Sequence, residues 1–480
     1  MFRHRTHRYA FGHRLTAAAA TLLLVIAGSA YAQQAHPQPR PFPALVTPDA
    51  SGSLQTNTPS GSIDTHNPFF ESLGSNGRTC NSCHRQAQGW SISAAEIRQR
   101  FAATRGTDPI FALVDGADSP RADVSTVAAR TIAYSMLLNR GVIRVGLPMP
   151  ANAEFRLSAL DDPYGYASAR ELSLFRRPLP STNLIWDTGV MWDGRETFAP
   201  FKSPMDAGID LEDIRSSLGT QALHAILGHE QATTAPADTV LARIVDFESH
   251  LFTAQLFDNQ AGKLNDNDGM GGANILAQQR FWVGINDVLG NDPSTEPFDA
   301  KAMRLFDGWG DSNSSFNLDP RSRARAAVTR GEHLFNTMRI DITGVAGLND
   351  VTGNPVIHGG CTSCHDSPNI GNHSVGAPLN IGIADASRRT PDLPLYTLTN
   401  NSTGKVIQTT DPGLALLTGK WGDIGKFKGP ILRGVAARAP YFHNGSAATL
   451  ADAVDFYDTR FHIGMSAQQK NDLVAFLSAL

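Results

Sequence analysis

Residues 80–84 read CNSCH and residues 361–365 read CTSCH, so one five-residue pattern occurs twice in a chain of 480 residues. These two stretches contain all four cysteines of the sequence. Two cysteines separated by two residues and followed directly by histidine form the covalent attachment site of c-type haem. The thiols reach the two vinyl groups of one porphyrin, and the histidine gives the iron an axial imidazole. The pattern therefore predicts two covalently bound haem c groups.

The residues that carry this prediction divide into two kinds. The thioether-forming residues are Cys80, Cys83, Cys361 and Cys364, and the iron ligands are His84 and His365. A Cys-x-x-Cys pair alone could also be half of a zinc site or a thioredoxin-like redox pair. A zinc ribbon would need its second pair within ~20 residues. Neither alternative explains a histidine directly after both pairs.

The first 32 residues have the three parts of a secretory signal peptide: a basic start, an apolar stretch over 17–27 and the cleavage sequence Ala30-Tyr31-Ala32. We expect this segment to be removed and the mature protein to lie in the periplasm, because thioether attachment of haem occurs outside the bacterial cytoplasm. The apolar stretch is too short to span a membrane comfortably, so no stable membrane insertion is expected.

Charge and length exclude some classes of protein. Without the four arginines of residues 1–32, the chain has 37 basic and 45 acidic side chains. No basic stripe is present, which argues against nucleic-acid binding. About 450 mature residues are too many for one hydrophobic core, so two or more domains are expected.

We predict a mainly α fold, with two cytochrome c-like haem domains, long loops and an inserted connecting segment. The expected boundaries are a signal peptide at 1–32, a flexible leader at 33–63, an N-terminal domain at 64–255, a connecting insertion at 256–322 and a C-terminal domain at 323–480. Apolar periodicity predicts opening helices at 67–74 and 323–336 and closing helices at 239–255 and 466–480. A hairpin is expected around 142–147 and a long loop layer over 366–430.

Three further stretches point to a known family. They read FKGPILRGV at 427–435, APYFHNGS at 439–446 and WDGR at 192–195. With the two haem motifs, they resemble the signatures of bacterial di-haem cytochrome c peroxidases and MauG-type enzymes. The resemblance implies a periplasmic oxidoreductase that reduces hydrogen peroxide with electrons from a small redox protein or from a protein substrate.

The resemblance also implies different axial ligands for the two haems. The family's C-terminal ligand position, a methionine in the peroxidases, falls on Tyr457, and MauG-type enzymes have tyrosine there. Met465 is the conventional alternative, and His443, His462 and His373 are others. The family's removable distal histidine is missing between His84 and His224. The first haem is therefore expected to be open or exchangeable, with His229 the best candidate to close it.

The family places a bridging tryptophan, here Trp192, between the haems, where an indole could relay a hole. Its acid–base residues follow the WDGR motif, and by counting they fall on Lys202 and on Glu212 or Asp210. A calcium ion is implied near the backbone carbonyls of Arg438 and Pro440. The family's asparagine ligand has become part of 177–181, RPLPS, although Asn183 could substitute.

Two other functions stay open. The chain could be a di-haem electron carrier without its own chemistry. It could also be an oxygenase that uses dioxygen, because rubber oxygenases resemble this superfamily.

Overall fold

The computed structural model describes residues 45–197, 211–310 and 319–480. The structure is 32% helical and 16% strand, so the prediction of a mainly α fold is wrong and the fold is mixed α/β. The helices are α1 Ala94–Thr104, α2 Val127–Ala133, α3 Ser135–Arg140, α4 Leu211–Gly228, α5 Asp238–Ser249, α6 Ala273–Leu276, α7 Pro320–Thr337, α8 Asn349–Thr352, α9 Ala415–Thr418, α10 Leu450–Phe461 and α11 Ala467–Ser478.

The strands are short, and every pairing is antiparallel. They form sheets in the orders β1-β2-β6-β7, β11-β10-β4, β3-β5 and β8-β9. Their bounds are β1 Leu45–Pro48, β2 Gly52–Asn57, β3 Ile143–Leu147, β4 Phe155–Asp161, β5 Leu172–Arg176, β6 Phe252–Asp258, β7 Gly262–Lys263, β8 Ile340–Thr343, β9 Val356–Gly359, β10 Leu395–Asn400 and β11 Val406–Thr409.

Several strands lie where helix or loop was expected, because their partners are distant in sequence. The closing helix predicted for 239–255 ends at Ser249, and β6 follows it and pairs with β2. The partner strand β2, together with β1, lies within residues 33–63, which were predicted to be a flexible leader. The predicted loop layer over 366–430 contains β10 and β11, and β10 pairs with β4. The strand at 142–147 pairs with β5 rather than forming a local hairpin. The domain boundaries themselves stay a prediction.

The C-terminal helices follow the sequence closely, because both carry strong N-terminal caps. Asp319 accepts hydrogen bonds from the backbone amides of the first turn of α7, and Pro320 follows it. Ser466 and Gln469 form a capping box at the start of α11. The two helices pack through Val328, Phe335 and Phe476 into one apolar cluster beside the second haem motif.

The first haem motif lies against a separate apolar cluster. Phe69, Trp90 and Phe247 stack edge to face beside it, and α4 and α5 close that side. In the part of the chain that the structure describes, no helix has the length and apolar character needed to cross a bilayer.

Candidate haem sites

The two Cys-x-x-Cys-His motifs adopt the same local structure. Residues 80–82 and 361–363 each form one 3-10 turn, which brings both cysteines and the histidine to one side. The amide of His84 donates to the carbonyl of Cys80, and the amide of His365 donates to that of Cys361, both at 3.0 Å. The repeated pattern therefore produces a repeated geometry.

Each histidine presents one free nitrogen to a cavity. Nδ1 of His84 lies 3.1 Å from the carbonyl oxygen of Trp90, and Nδ1 of His365 lies 2.9 Å from that of Gly371. A carbonyl can only accept, so Nδ1 carries the hydrogen and Nε2 keeps its lone pair. Burial lowers the pKa of both imidazoles to about 4, which keeps them neutral. A neutral imidazole held through its other nitrogen is the form that ligates iron.

Each haem motif lines a cavity. Cys361, Cys364 and His365 line one of about 240 Å³, and the first motif lines one of about 160 Å³. Nη1 of the buried Arg438, at the larger cavity, has no hydrogen-bond partner among the described residues. An unpaired buried guanidinium nitrogen beside this cavity suits a propionate.

Trp192 lies in the wall that separates the cavities and lines both of them. Its indole nitrogen donates to the carbonyl of Arg177 at 2.8 Å, and its own carbonyl accepts from the amide of Lys428 at 2.9 Å. The other residues shared by both cavities are Arg177, Pro178, Leu179, Pro180 and Lys428. The structure thus brings Trp192 together with both haem motifs.

The larger cavity holds several of the candidate axial ligands. Tyr457 on α10 and Met465 line it together with His365, as do His373 and His443. Burial raises the pKa of Tyr457 above its ordinary value. His462 is the exposed C-terminal cap of α10 and does not line this cavity. The assignment of Tyr457 as ligand stays a prediction.

The predicted acid–base residues cannot be placed. Asp210 and Lys202 lie outside the described residues, and Glu212 lies in the first turn of α4 with its side chain also outside them.

A different polar group lines the smaller cavity, formed by His229, Asp115 and Arg78. Nδ1 of His229 hydrogen-bonds to one oxygen of Asp115, and Arg78 pairs with the other. Burial acts to raise the pKa of Asp115, but Arg78 and His229 hold it below its usual value. Asp115 was missed because it lies in the loop after α1, far in sequence from the WDGR motif where an acid was sought.

The residues at the implied calcium position do not fit a cation. The buried Arg177 guanidinium donates to the carbonyls of Arg438 at 2.8 Å, Ile92 at 2.6 Å and Gly141 at 3.0 Å. The side chain of Asn183 is fully used by the backbone of Thr253. The guanidinium of Arg177 therefore already donates to the carbonyl oxygen of Arg438, which a calcium ion would need as a ligand.

Comparisons with known proteins find similarity to cytochrome c proteins. Residues 426–461 match the profile of the family described as RoxA-like, cytochrome c-like. The chain is 35% identical over 133 residues to cytochrome-c peroxidase IdrP2 of Denitromonas iodatirespirans. It is 33% identical over 141 residues to cytochrome-c peroxidase IdrP1 of Pseudomonas sp. strain SCT. Over these matched stretches, the chain is similar to cytochrome c peroxidases and to a RoxA-like, cytochrome c-like family.

These similarities support haem c as the cofactor of the chain. Each of these matches covers 25% of this chain and 36% of the relative, so the chain spans about a third of the length of the curated relatives it matches. A solved MauG-like protein associated with microbial copper homeostasis aligns over 93% of this chain and 94% of its own, with 15% identity and a TM-score of 0.37.

Proposed function

We propose that this chain is a periplasmic di-haem oxidoreductase that reduces hydrogen peroxide and takes electrons from a small redox protein or a protein substrate. The observation that supports it most is the shared wall: two cavities, each with one haem attachment motif, meet at Trp192. A single electron-carrying haem would need neither the second cavity nor the contact between them.

The two motifs would each hold one haem, whose iron would supply peroxide binding at one site and electron transfer at both. Within the two attachment motifs, Nε2 of His84 and Nε2 of His365 would bind iron. The proposal assigns chemistry to the first site and charge storage to the second, where Tyr457 would be the axial ligand. A phenolate is a hard, anionic donor and favours oxidised iron more than the thioether of Met465 does.

His229 is the residue proposed to move the proton at the first site. Because Asp115 binds its Nδ1, the other ring nitrogen, Nε2, is left to accept a proton and return it. Arg78 pairs with Asp115 and holds its pKa below the usual value, so the ionised carboxylate orients the ring of His229. The side chain of His229 is 38% exposed, which allows proton exchange with water.

Spectroscopy of the purified holoprotein tests the overall proposal. We expect paramagnetic resonance of the oxidised protein to show one high-spin and one low-spin haem, and peroxide to change the signals of both. Cyanide should bind one haem and not the other. Two low-spin haems that peroxide leaves unchanged would instead mean an electron carrier, and turnover of the reduced protein with dioxygen alone would mean an oxygenase.

The substitution His229→Gln tests the proton-transfer role. We expect the rate of reaction with peroxide to fall by about 10²- to 10⁴-fold, the usual contribution of one general acid–base group, with both haem spectra unchanged. The matched control is His224→Gln, because His224 is exposed and pairs with Glu196. If His229 were instead an iron ligand, its loss would convert a low-spin haem to high spin and speed the reaction.

A further inference from the structure

Three buried side chains converge beside the second haem motif: Asp287, Asp366 and His373. Their exposed fractions are 2%, 0% and 4%. One ligand atom from each lies within 4.8 Å of the other two. Asp366 follows the second haem motif directly, whereas Asp287 comes from the segment predicted to connect the two domains. Two stretches distant in sequence therefore meet through groups that are costly to bury.

Several polar atoms of this cluster lack hydrogen-bond partners among the described residues. They are Oδ2 of Asp366 and both ring nitrogens of His373, and all are buried. Nδ1 of His373 lies 3.3 Å from Oδ2 of Asp366, which is ion-pair distance for a protonated imidazole but does not meet hydrogen-bond geometry. Two donors bound to one tetrahedral zinc ion at ~2.0–2.1 Å stand roughly 3.3 Å apart, so this spacing suits ligands of a shared ion.

In each of the two carboxylates, one oxygen accepts hydrogen bonds from neighbouring groups. Oδ1 of Asp366 accepts from the amide of Ser374 at 2.7 Å. Oδ2 of Asp287 accepts from the amide of Leu289 at 3.0 Å and from the side chain of Asn291 at 2.7 Å. Hydrogen bonds of this kind orient metal-ligating carboxylates, and they leave Oδ2 of Asp366 without a hydrogen-bond donor.

The charges of these side chains also favour a bound cation. In the described ranges, neither Asp287 nor Asp366 forms an ion pair with a lysine or arginine. Two buried carboxylates beside one imidazole carry an excess negative charge that a divalent cation would neutralise. Imidazole together with carboxylate favours zinc and similar transition metals over calcium.

We propose that Asp287, Asp366 and His373 bind a divalent transition-metal ion of the zinc class. A water molecule would complete the shell, and the hydroxyl of Ser374, which donates to Oδ1 of Asp287 at 3.4 Å, would hold that ligand in place. The ion would fasten the segment around Asp287 to the segment that follows the second haem motif. Its role would be structural, because all three protein ligands are buried.

Zinc binding to the holoprotein tests this site, with Asp287→Asn as the main variant because Asp287 lines neither haem cavity. Holoprotein stripped with a chelator and dialysed against zinc should retain about one zinc per chain by elemental analysis. Asp287→Asn should lose that zinc while its haem spectrum stays the same. The matched control is Asp292→Asn, a buried carboxyl five residues further along the chain that accepts from Trp282, Asn286 and Ser294 instead.

Thermal unfolding gives a second readout. Zinc should raise the melting temperature of the stripped wild type and of Asp292→Asn, and leave that of Asp287→Asn unchanged. Stripped wild type that binds no zinc would overturn the proposal. So would zinc that survives in Asp287→Asn but is lost in His358→Gln, because His358 and Asp341 form an exposed pair on the surface.

Discussion

At the scale of one residue, Glu332 on α7 makes the free energy of unfolding depend on pH. Its side chain is 2% exposed and accepts hydrogen bonds from the amides of Leu305 and Phe306. Burial raises the pKa of Glu332 to about 7, against the effect of those two bonds, with Asp307 adding to the rise and Arg433 opposing it. The carboxyl is therefore neutral over a wider pH range in the folded protein than in the unfolded chain.

The sign of the effect follows from linkage. A folded pKa above the unfolded one gives stability that is fully present below the unfolded pKa and is lost as the pH rises through about 7. In Glu332→Gln this dependence disappears. We expect the stability of the variant relative to wild type to improve by roughly 3 kcal/mol between pH ~4 and pH ~8. Urea unfolding at both pH values measures it, and a difference that does not vary with pH would contradict it.

At the scale of elements, α7 and α11 cross at Gly331. A methyl group added there would stand 2.0 Å from the carbonyl oxygen of Asp472 and 2.6 Å from Cβ of Phe476. Beside the crossing, Arg330 forms a two-pronged salt bridge with the carboxylate of Asp472. The helices can therefore approach this closely only because residue 331 has no side chain.

We expect Gly331→Ala to lower the free energy of unfolding by ~3 kcal/mol, because the helices must separate. The matched control is Gly219→Ala on α4, where the nearest atom to an added methyl is 4.0 Å away. That substitution should be neutral or should stabilise by ~0.5–1 kcal/mol through helix propensity. Chemical denaturation of both variants measures this, and equal effects would mean that the crossing is not tight.

The elements also show what the sequence could and could not predict. Caps at Asp319 and Ser466 are local signals, so α7 and α11 were predicted closely. Strands β2 and β6 form by pairing with each other across most of the first half of the chain. Their individual patterns are too short to predict that partnership, so β6 was taken as the end of a helix.

The same contrast holds for the haem sites. Spacing alone predicted the attachment residues, because the porphyrin requires cysteines and histidine at fixed positions. The group formed by Asp115 and His229 depends on tertiary contacts between the loop after α1 and the end of α4. No local pattern marks such a pair. Only the folded structure shows that Asp115 is the acid that reaches His229.

At the scale of the whole molecule, the two haem cavities are joined by one rigid wall. Arg177 binds backbone carbonyls from three separate stretches and accepts the indole hydrogen of Trp192 through its own carbonyl. Lys428, from the C-terminal signature, pairs with Asp187, which lines the smaller cavity. Relative movement of the two sites would break these buried bonds, so their separation is fixed by the fold.

Among the described residues that line both cavities, Trp192 is the aromatic one. Its loss should therefore slow charge transfer between the two sites without preventing haem attachment at either. In Trp192→Phe we expect both haems to attach and peroxide to react at the first site, whereas the response of the second haem is slowed. The matched control is Trp186→Phe, because Trp186 is fully buried and lines neither cavity. Stopped-flow absorption that follows both haems measures the delay. An unchanged delay in Trp192→Phe, or the same slowing in Trp186→Phe, would show that the indole only fills space.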